Sequence, residues 1–433
     1  PGHPDPSDTA TGGGTVEGGT ATVTGGGATQ NKRPMADAGP VVATFLTFGL
    51  FWGSWAVMLF YIQHSYGLSD GQLGVVLAVA VAVAGASSAV TAHLADRVGA
   101  RRLLWIALFA WSALLCLLAL TEKRWVFELV LVPTMIAGGS IDTAMNAEAS
   151  HRLIGNPSAL VRLHALFNTG ALCGAAVAGL LIHAGVSWRW VWPGIAVVGL
   201  AVGVWAAVTD SGAPLAAATS AEGEGPEEVG SRHPLRRLRR DGLLVLLAVF
   251  ALAEVTEGGV DTWGVLYLRN HLATGVLLGA GAYVVGQLMA VTTRGAGSPL
   301  LGRLSTRHAL ITGGCVAGAG ILLESLSSLS GVAALGLALG AGGASLFWPL
   351  VMSTVSRLAS QVVSAVGTFT AAGYIGWVAG APIVGWVSQT VGPAHGLQVL
   401  AAASFGVAVC ALFTPATAAL SGLARSAAAG GAE

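Results

Sequence analysis

Charge is scarce in this chain. Asp, Glu, Lys and Arg make up 10% of its 433 residues, against about 25% in an average soluble domain. So few charges leave most of a surface of this size uncovered in water, which excludes a cytosolic enzyme, a nucleic-acid binder and a disordered scaffold. The 21 basic residues balance the 21 acidic ones, so no net charge draws a polyanion. Cysteine is also rare. Cys116, Cys173, Cys315 and Cys410 each sit inside an apolar run, with no C-x-x-C and no Cys/His spacing. Neither disulfides nor a metal centre are expected. H-E-x-x-H, G-x-S-x-G and clustered histidines are missing too, so neither catalysis nor a cofactor is expected.

What the chain has is apolar length. Hydrophobic residues form 54% of it, and the mean hydropathy is +0.72. A helix crossing a bilayer needs about 20 mostly apolar residues. Twelve runs qualify: 41–62, 72–94, 103–121, 125–148, 164–184, 188–208, 243–267, 275–298, 309–329, 332–355, 366–388 and 395–415. They are continuous rather than alternating, which predicts helices and not barrel strands. The expected fold class is an all-α polytopic membrane protein with twelve transmembrane helices.

Polar segments divide these runs. Residues 1–40 are rich in Gly, Thr, Pro and Ala, without the apolar stretch of a signal peptide, and are expected to be a disordered tail. A six-helix bundle over 41–208 is followed by a linker at 209–241, a second bundle over 242–416 and a tail at 417–433. The linker ends in the basic stretch HPLRRLRRD. Of the 21 Lys and Arg, sixteen fall in loops on one side and four on the other, with Arg294 inside a span. The positive-inside rule then places both termini in the cytoplasm of a cell bounded by the cytoplasmic (inner) membrane.

The bundles repeat each other. Gly170, Gly174 and Gly179 in the fifth span recur as Gly376, Gly380 and Gly385 in the eleventh. Gly138-Gly139 leading to Arg152 recurs as Gly342-Gly343 leading to Arg357. LADRVGARR before the third span aligns with LSTRHAL before the ninth, matching Asp96 to Thr306 and Arg97 to Arg307. Two pseudo-symmetric six-helix bundles with a solute site between them are the expectation.

The segment Ala92-His-Leu-Ala-Asp96-Arg97-Val-Gly99-Ala-Arg101-Arg102 resembles the loop 2–3 signature of the major facilitator superfamily, with Ala92 where that signature has Gly. The resemblance covers about 41–416 and implies the major facilitator fold, alternating access, and a gating role for Asp96, Arg97, Gly99, Arg101 and Arg102. IDTAMNAEASHRL (141–153), RLHALFNTGALCGA (162–175) and EVTEGGVDTWGVLYLRN (254–270) resemble the fucose-permease-like branch and its bacterial inner-membrane relatives. Asp142-Thr143-Ala144-Met145-Asn146 matches that branch's acid–Thr–Ala–x–Asn pattern, whose acid takes part in proton-coupled uptake. The branch's carboxylate in the first span has no counterpart here. The resemblance also places spans 1, 4, 7 and 10 around the cavity.

Ionisable groups inside a bilayer cost about 2.5–3.5 kcal/mol or more and persist where they face a cavity or a partner. Here these are Asp142 in the fourth span, Glu254, Glu257 and Asp261 in the seventh, and Arg294 in the eighth. The three acids of the seventh span follow i, i+3, i+7 and share a helix face. They are candidates for proton coupling, and Asp142 and Arg294 lie at similar depth, as an ion pair or as groups used directly. Glu128, Glu148 and Glu324 lie near span ends and are expected to reach water. Candidate cavity residues are Trp52, Asn146, Asn168, Trp263, Gln287, Trp348 and Tyr374, aromatic faces and polar groups suited to a sugar-like solute or to a flat amphipathic one. The expected function is secondary transport of a small organic solute by a monomer in the lipid bilayer, with protons as co-substrate and no nucleic acid. Symport of a sugar-like solute is preferred over drug efflux by proton antiport. A non-transporting sensor or assembly partner is the reading outside transport.

Overall fold

The computed structural model describes residues 38–152, 157–210, 234–295, 305–360 and 362–414. Each expected span is helical over most of its described residues. The first six are α1 (Gly39–Ser65), α2 (Asp70–Val98), α3 (Ala100–Ala119), α4 (Arg124–Arg152), α5 (Pro157–His183) and α6 (Val191–Val208). A short surface helix, α7 (Pro234–Arg240), leads into the seventh span, which is α8 (Leu244–Gly259), a π turn (Val260–Gly264) and α9 (Val265–Asn270) in succession. Then come α10 (Val276–Gly295), α11 (Thr306–Leu326), α12 (Ser330–Ala344) with α13 (Phe347–Leu358), α14 (Val362–Thr390) and α15 (Pro393–Ala411). Among the described residues, ten stretches are by themselves long and apolar enough to cross a membrane, counting α12 and α13 as one. The seventh span is divided by its π turn, and the eighth has the shorter apolar stretch Val276–Thr292. Of the expected tail at 1–40, residues 1–37 lie outside the described residues, as do most of the linker and the C-terminal tail, while Gly39 and Pro40 already belong to α1.

Local chemistry sets the helix ends. Ser69 and Gln72 close a capping box at the start of α2, and the Ser305 side chain accepts from the His308 amide at the start of α11. Gly99 joins α2 to α3 at φ +96°, a conformation open to glycine and strained for other residues.

The repeated glycines show how the halves are built. A Cβ at Gly170 or Gly174 would overlap the carbonyl oxygens of Leu46 or Leu50 on α1. One at Gly376 would overlap the Ala251 carbonyl on α8, and one at Gly380 would touch Val255. Small residues thus let α5 close on α1, and α14 on α8, at the same register. The two pairs differ by 205 residues on α1/α8 and 206 on α5/α14.

Across the molecule, α2 packs on α14 and α5 on α10. The larger apolar core fills the α1–α6 half and continues into the other half through Val260, Trp263, Leu268, Tyr283, Ile321, Leu337 and Val384. These residues lie toward the end away from the arginine-rich loops. A second core, including Leu243, Phe250, Leu310, Phe347 and Phe369, stays within the basic end of the α8–α15 half. The halves are therefore fused by apolar packing at one end and separately packed at the other.

Candidate functional site

The polar residues of the membrane interior gather at the seam between the halves. Asn146 on α4 donates from Nδ2 to the Asp142 carbonyl at 2.9 Å and to Asp142 Oδ1 at 3.2 Å, one turn apart. One residue along, Thr143 leans on the Ser88 carbonyl of α2 at 3.4 Å. The Ser88 hydroxyl donates to the Gly139 carbonyl at 3.2 Å and lies 3.3 Å from the Tyr374 hydroxyl of α14. Tyr374 stands within electrostatic reach of both Asp142 and Glu254. Glu254 on α8 lies against Gly373, whose Cβ, if present, would stand 3.1 Å from Glu254 Cγ. Carboxylates from both halves thus converge on one tyrosine. Beside them Trp52 of α1 and Trp377 of α14 face each other across the seam, with ring centroids 5.5 Å apart.

The three acids of the seventh span do not form one cluster. Glu254 belongs with Tyr374. Asp261 lies in the π turn and accepts from Gln287 Nε2 of α10 at 3.3 Å, with the Tyr283 hydroxyl also in reach and Glu257 nearby. The π turn adds a residue to the helical register, which turns the last acid toward α10.

The other candidates sort by burial. Trp348 is 38% exposed and meets the His164 ring across the seam at 5.1 Å. Asn168 and Gln287 are buried. Trp263 is buried too, packed in the apolar core against Gly385. The Arg294 and Asp96 side chains lie outside the described residues, and so does the expected pairing of Arg294 with Asp142.

The gating motif is only partly a surface cluster. Arg97 is exposed, but Arg101 is buried, 3.2 Å from Glu148 Oε1, and its Nη1 donates to the Thr209 carbonyl at the end of α6 at 2.9 Å. Arg152 pairs with the same Glu148 oxygen at 2.5 Å. Arg102 reaches Asp210 at 3.8 Å, which also accepts from Trp105 Nε1 at 3.1 Å. Glu148 is a correction: it is 3% exposed rather than solvated, because α4 packs on α3 and two guanidiniums compensate the buried charge. Glu324 is a second, at 1% exposure. Glu128 remains partly solvated, paired with Arg124 one turn away.

Among the described residues, the other half has one element of this network. Arg307 at the start of α11 donates from Nε to the Thr414 carbonyl after α15 at 2.9 Å, as Arg101 does to Thr209. Arg307 therefore corresponds to Arg101 and not to Arg97, which corrects the sequence alignment of the two loops by four residues.

A polar clasp joins the halves at the end away from the basic loops. Asn270 Nδ2 donates to Gln63 Oε1 at 2.6 Å, and Gln63 Nε2 to Asp70 Oδ1 at 2.6 Å. Arg269 Nη2 donates to the Tyr61 hydroxyl at 3.0 Å. Gln389 Oε1 accepts from the Ser69 hydroxyl and the Gly71 amide, both at 3.0 Å. Missed in the sequence were Ser88, betrayed only by the Ser87-Ser88 pair inside an apolar run, and the clasp residues, which lie at span ends and carry no motif.

Known proteins share this architecture. The chain is 25% identical over 396 residues to the membrane protein MosC of Rhizobium meliloti, covering 90% of this chain and 92% of the relative. It is 24% identical over 357 residues to an uncharacterised MFS-type transporter of Yersinia pestis, covering 80% and 88%. Among solved structures, the nucleoside transporter NupG superposes with a TM-score of 0.69 at 14% identity, covering 87% of this chain and 98% of that one. The family model described as Major Facilitator Superfamily matches residues 41–381. With its helices apolar enough to span a bilayer many times over, its repeated halves and its polar seam, the chain is a multi-pass membrane protein that belongs to the Major Facilitator Superfamily.

Proposed function

We propose that the chain is a proton symporter that carries a small, sugar-like organic solute across the cytoplasmic membrane by alternating access, with its arginine-rich loops in the cytoplasm. The observation that carries this reading is that Tyr374 meets Ser88, on which Thr143 beside Asp142 leans, while its neighbour Gly373 lies against Glu254, so acids of both halves are within electrostatic reach of one tyrosine. A carboxylate at a seam changes its surroundings whenever the halves rock, so it holds a proton in one state and releases it in the other. Asn146, Ser88 and Thr143 supply the donors and acceptors that a hydroxylated solute needs, and the Trp52–Trp377 pair supplies a face for a ring. With the basic end cytoplasmic, the closed clasp and the separate core at the basic end describe a carrier closed to the outside.

The test uses proteoliposomes loaded with a pH-sensitive dye and challenged with sugars, sugar acids and amphipathic cations. Proton entry in the direction of an added sugar is the expected result. Asp142→Asn is expected to abolish gradient-driven accumulation while solute binding survives, and unchanged accumulation removes Asp142 from the mechanism. The aromatic wall of Trp52, Trp377 and Trp348 favours one second reading, efflux of flat amphipathic cations, which counter-directed proton flux would establish.

A further inference from the structure

Where the ninth span meets the seventh lies a second device that the transport reading leaves unused. Glu324, on the last turns of α11, is 1% exposed, and its Oε1 has no hydrogen-bond partner among the described residues. Gly264, the last residue of the π turn, faces it: a Cβ there would stand 3.4 Å from Glu324 Oε1. On the α12 side it is closed in by Gly336, which lies against its backbone. The titratable groups near it are few. Tyr267 of α9 is within electrostatic reach, but donates its hydroxyl proton to the Ser325 carbonyl at 3.0 Å. His271 stacks on that ring at 5.0 Å. Asp261, in the same π turn, bonds to Gln287 of α10. No Lys or Arg pairs with Glu324 among the described residues.

A lone carboxylate in such surroundings is stable only as the neutral acid, because an unpaired buried charge costs several kcal/mol. The π turn that Glu324 touches runs directly into α9, which carries half of the clasp. Arg269 and Asn270 of α9, which bind Tyr61 and Gln63 of the other half, follow Gly264 by five and six residues.

We propose that Glu324 is a proton-binding site separate from the seam acids, and that its proton holds the clasp shut. With the proton on, α9 packs dry against α11 and α12. When the proton leaves to water, the bare carboxylate needs solvation, α9 loosens from α11, and the Arg269–Tyr61 and Asn270–Gln63 contacts are released. Protonation at this site thus biases which end of the carrier is open, whatever solute it carries.

The experiment needs no solute, so it stands or falls apart from the transport reading. The full chain in lipid nanodiscs is compared with Glu324→Gln and Glu324→Met, each close in size to the neutral acid, so that either one that folds suffices. Infrared spectra are expected to show a protonated carboxylic C=O band in the native chain that both variants lack. Between about pH 6 and about pH 9, hydrogen-exchange protection of Val265–Asn270, corrected for intrinsic rate, is expected to fall roughly tenfold in the native chain and to hold in the variants. An unchanged C=O band in the variants overturns the proposal. So does protection that follows pH equally in all three proteins, or that stays constant in the native chain.

Discussion

The two halves share a backbone plan and divide the chemistry between them. At the register set by the α1–α5 and α8–α14 glycine contacts, Glu254, Glu257 and Asp261 of the seventh span stand where the first span has Gly49, Trp52 and Ala56. The first half fills that region with rings: Phe51 meets Trp111 at 5.3 Å, and Trp55 stacks on Trp192 at 5.7 Å. The second half places ionisable groups there. At the basic end the asymmetry reverses. The first half holds Arg101, Glu148 and Arg152 as a buried network, and the position of Glu148 is taken in the second half by Ser353, which donates only to the Leu350 carbonyl at 3.1 Å. The first half is thus locked by charge where it meets the basic loops and keeps Asp142 inside, whereas the second half carries three acids of one span inside. A duplicated fold can in this way load its two copies unequally with acids while both keep the same helix packing.

The sharpest way to break this comparison is to remove the acid from the lock. Glu148→Gln leaves Arg101 buried without its counter-charge, and losing one member of a buried pair costs about 3–5 kcal/mol. Ser353→Ala at the equivalent place removes a local bond to the preceding turn and is expected to stay within about 0.5 kcal/mol. Denaturation midpoints of the two variants in the same detergent measure the difference. Equal midpoints would mean that the halves are held at the basic end by something they share, such as the Arg101–Thr209 and Arg307–Thr414 contacts.

The glycine contacts come next in size. Gly174→Ala puts a methyl group into the Leu50 carbonyl, whereas Gly380→Ala meets Val255 at an ordinary 3.4 Å. The first is expected to cost about 1–3 kcal/mol by forced separation of α1 and α5, and the second to be tolerated. Thermal unfolding followed by size-exclusion chromatography reads both. Equal losses would show that the α8–α14 contact is as tight as the α1–α5 contact in the working protein.

Much of this was legible in the sequence, because a bilayer allows few backbone solutions. Continuous apolar runs state the twelve spans, and the glycine spacing states the repeat. The π turn at Val260–Gly264 has no such signature, since inserting one residue into a helix leaves its hydropathy unchanged. The loop alignment slipped by four residues because both 97 and 101 are arginine, and only the carbonyl that each side chain reaches tells them apart. Asp142, Asn146, Tyr374 and Glu254 stood out as polar groups in apolar helices. Their meeting depends on α2 packing against α14, nearly 300 residues away in the chain. Glu148 and Glu324 were misread for one reason: nearness to the end of a span predicts water only where no neighbouring helix covers that end.

The smallest expected effect compares two aspartates outside the spans. Asp210 after α6 lies beside Arg102 and Trp105. Asp241, between α7 and α8, instead accepts from the Ser360 amide at 3.0 Å and the Ser360 hydroxyl at 2.8 Å. Those two donors, with smaller help from Arg240 and Arg237, hold the Asp241 carboxyl below its ordinary value of 3.8. Because the folded value is the lower one, the stabilisation is complete above the ordinary carboxylate range and is lost as pH falls through the folded value. The contact is solvent-facing, so the effect is small. The native chain is expected to melt slightly above Asp241→Asn at neutral pH, and the gap is expected to close as the medium is acidified below the ordinary carboxylate range. A gap that is constant with pH would mean that Asp241 ties α7 to the α13–α14 junction by shape alone, and that its charge adds nothing to the way the second half is held at the basic end.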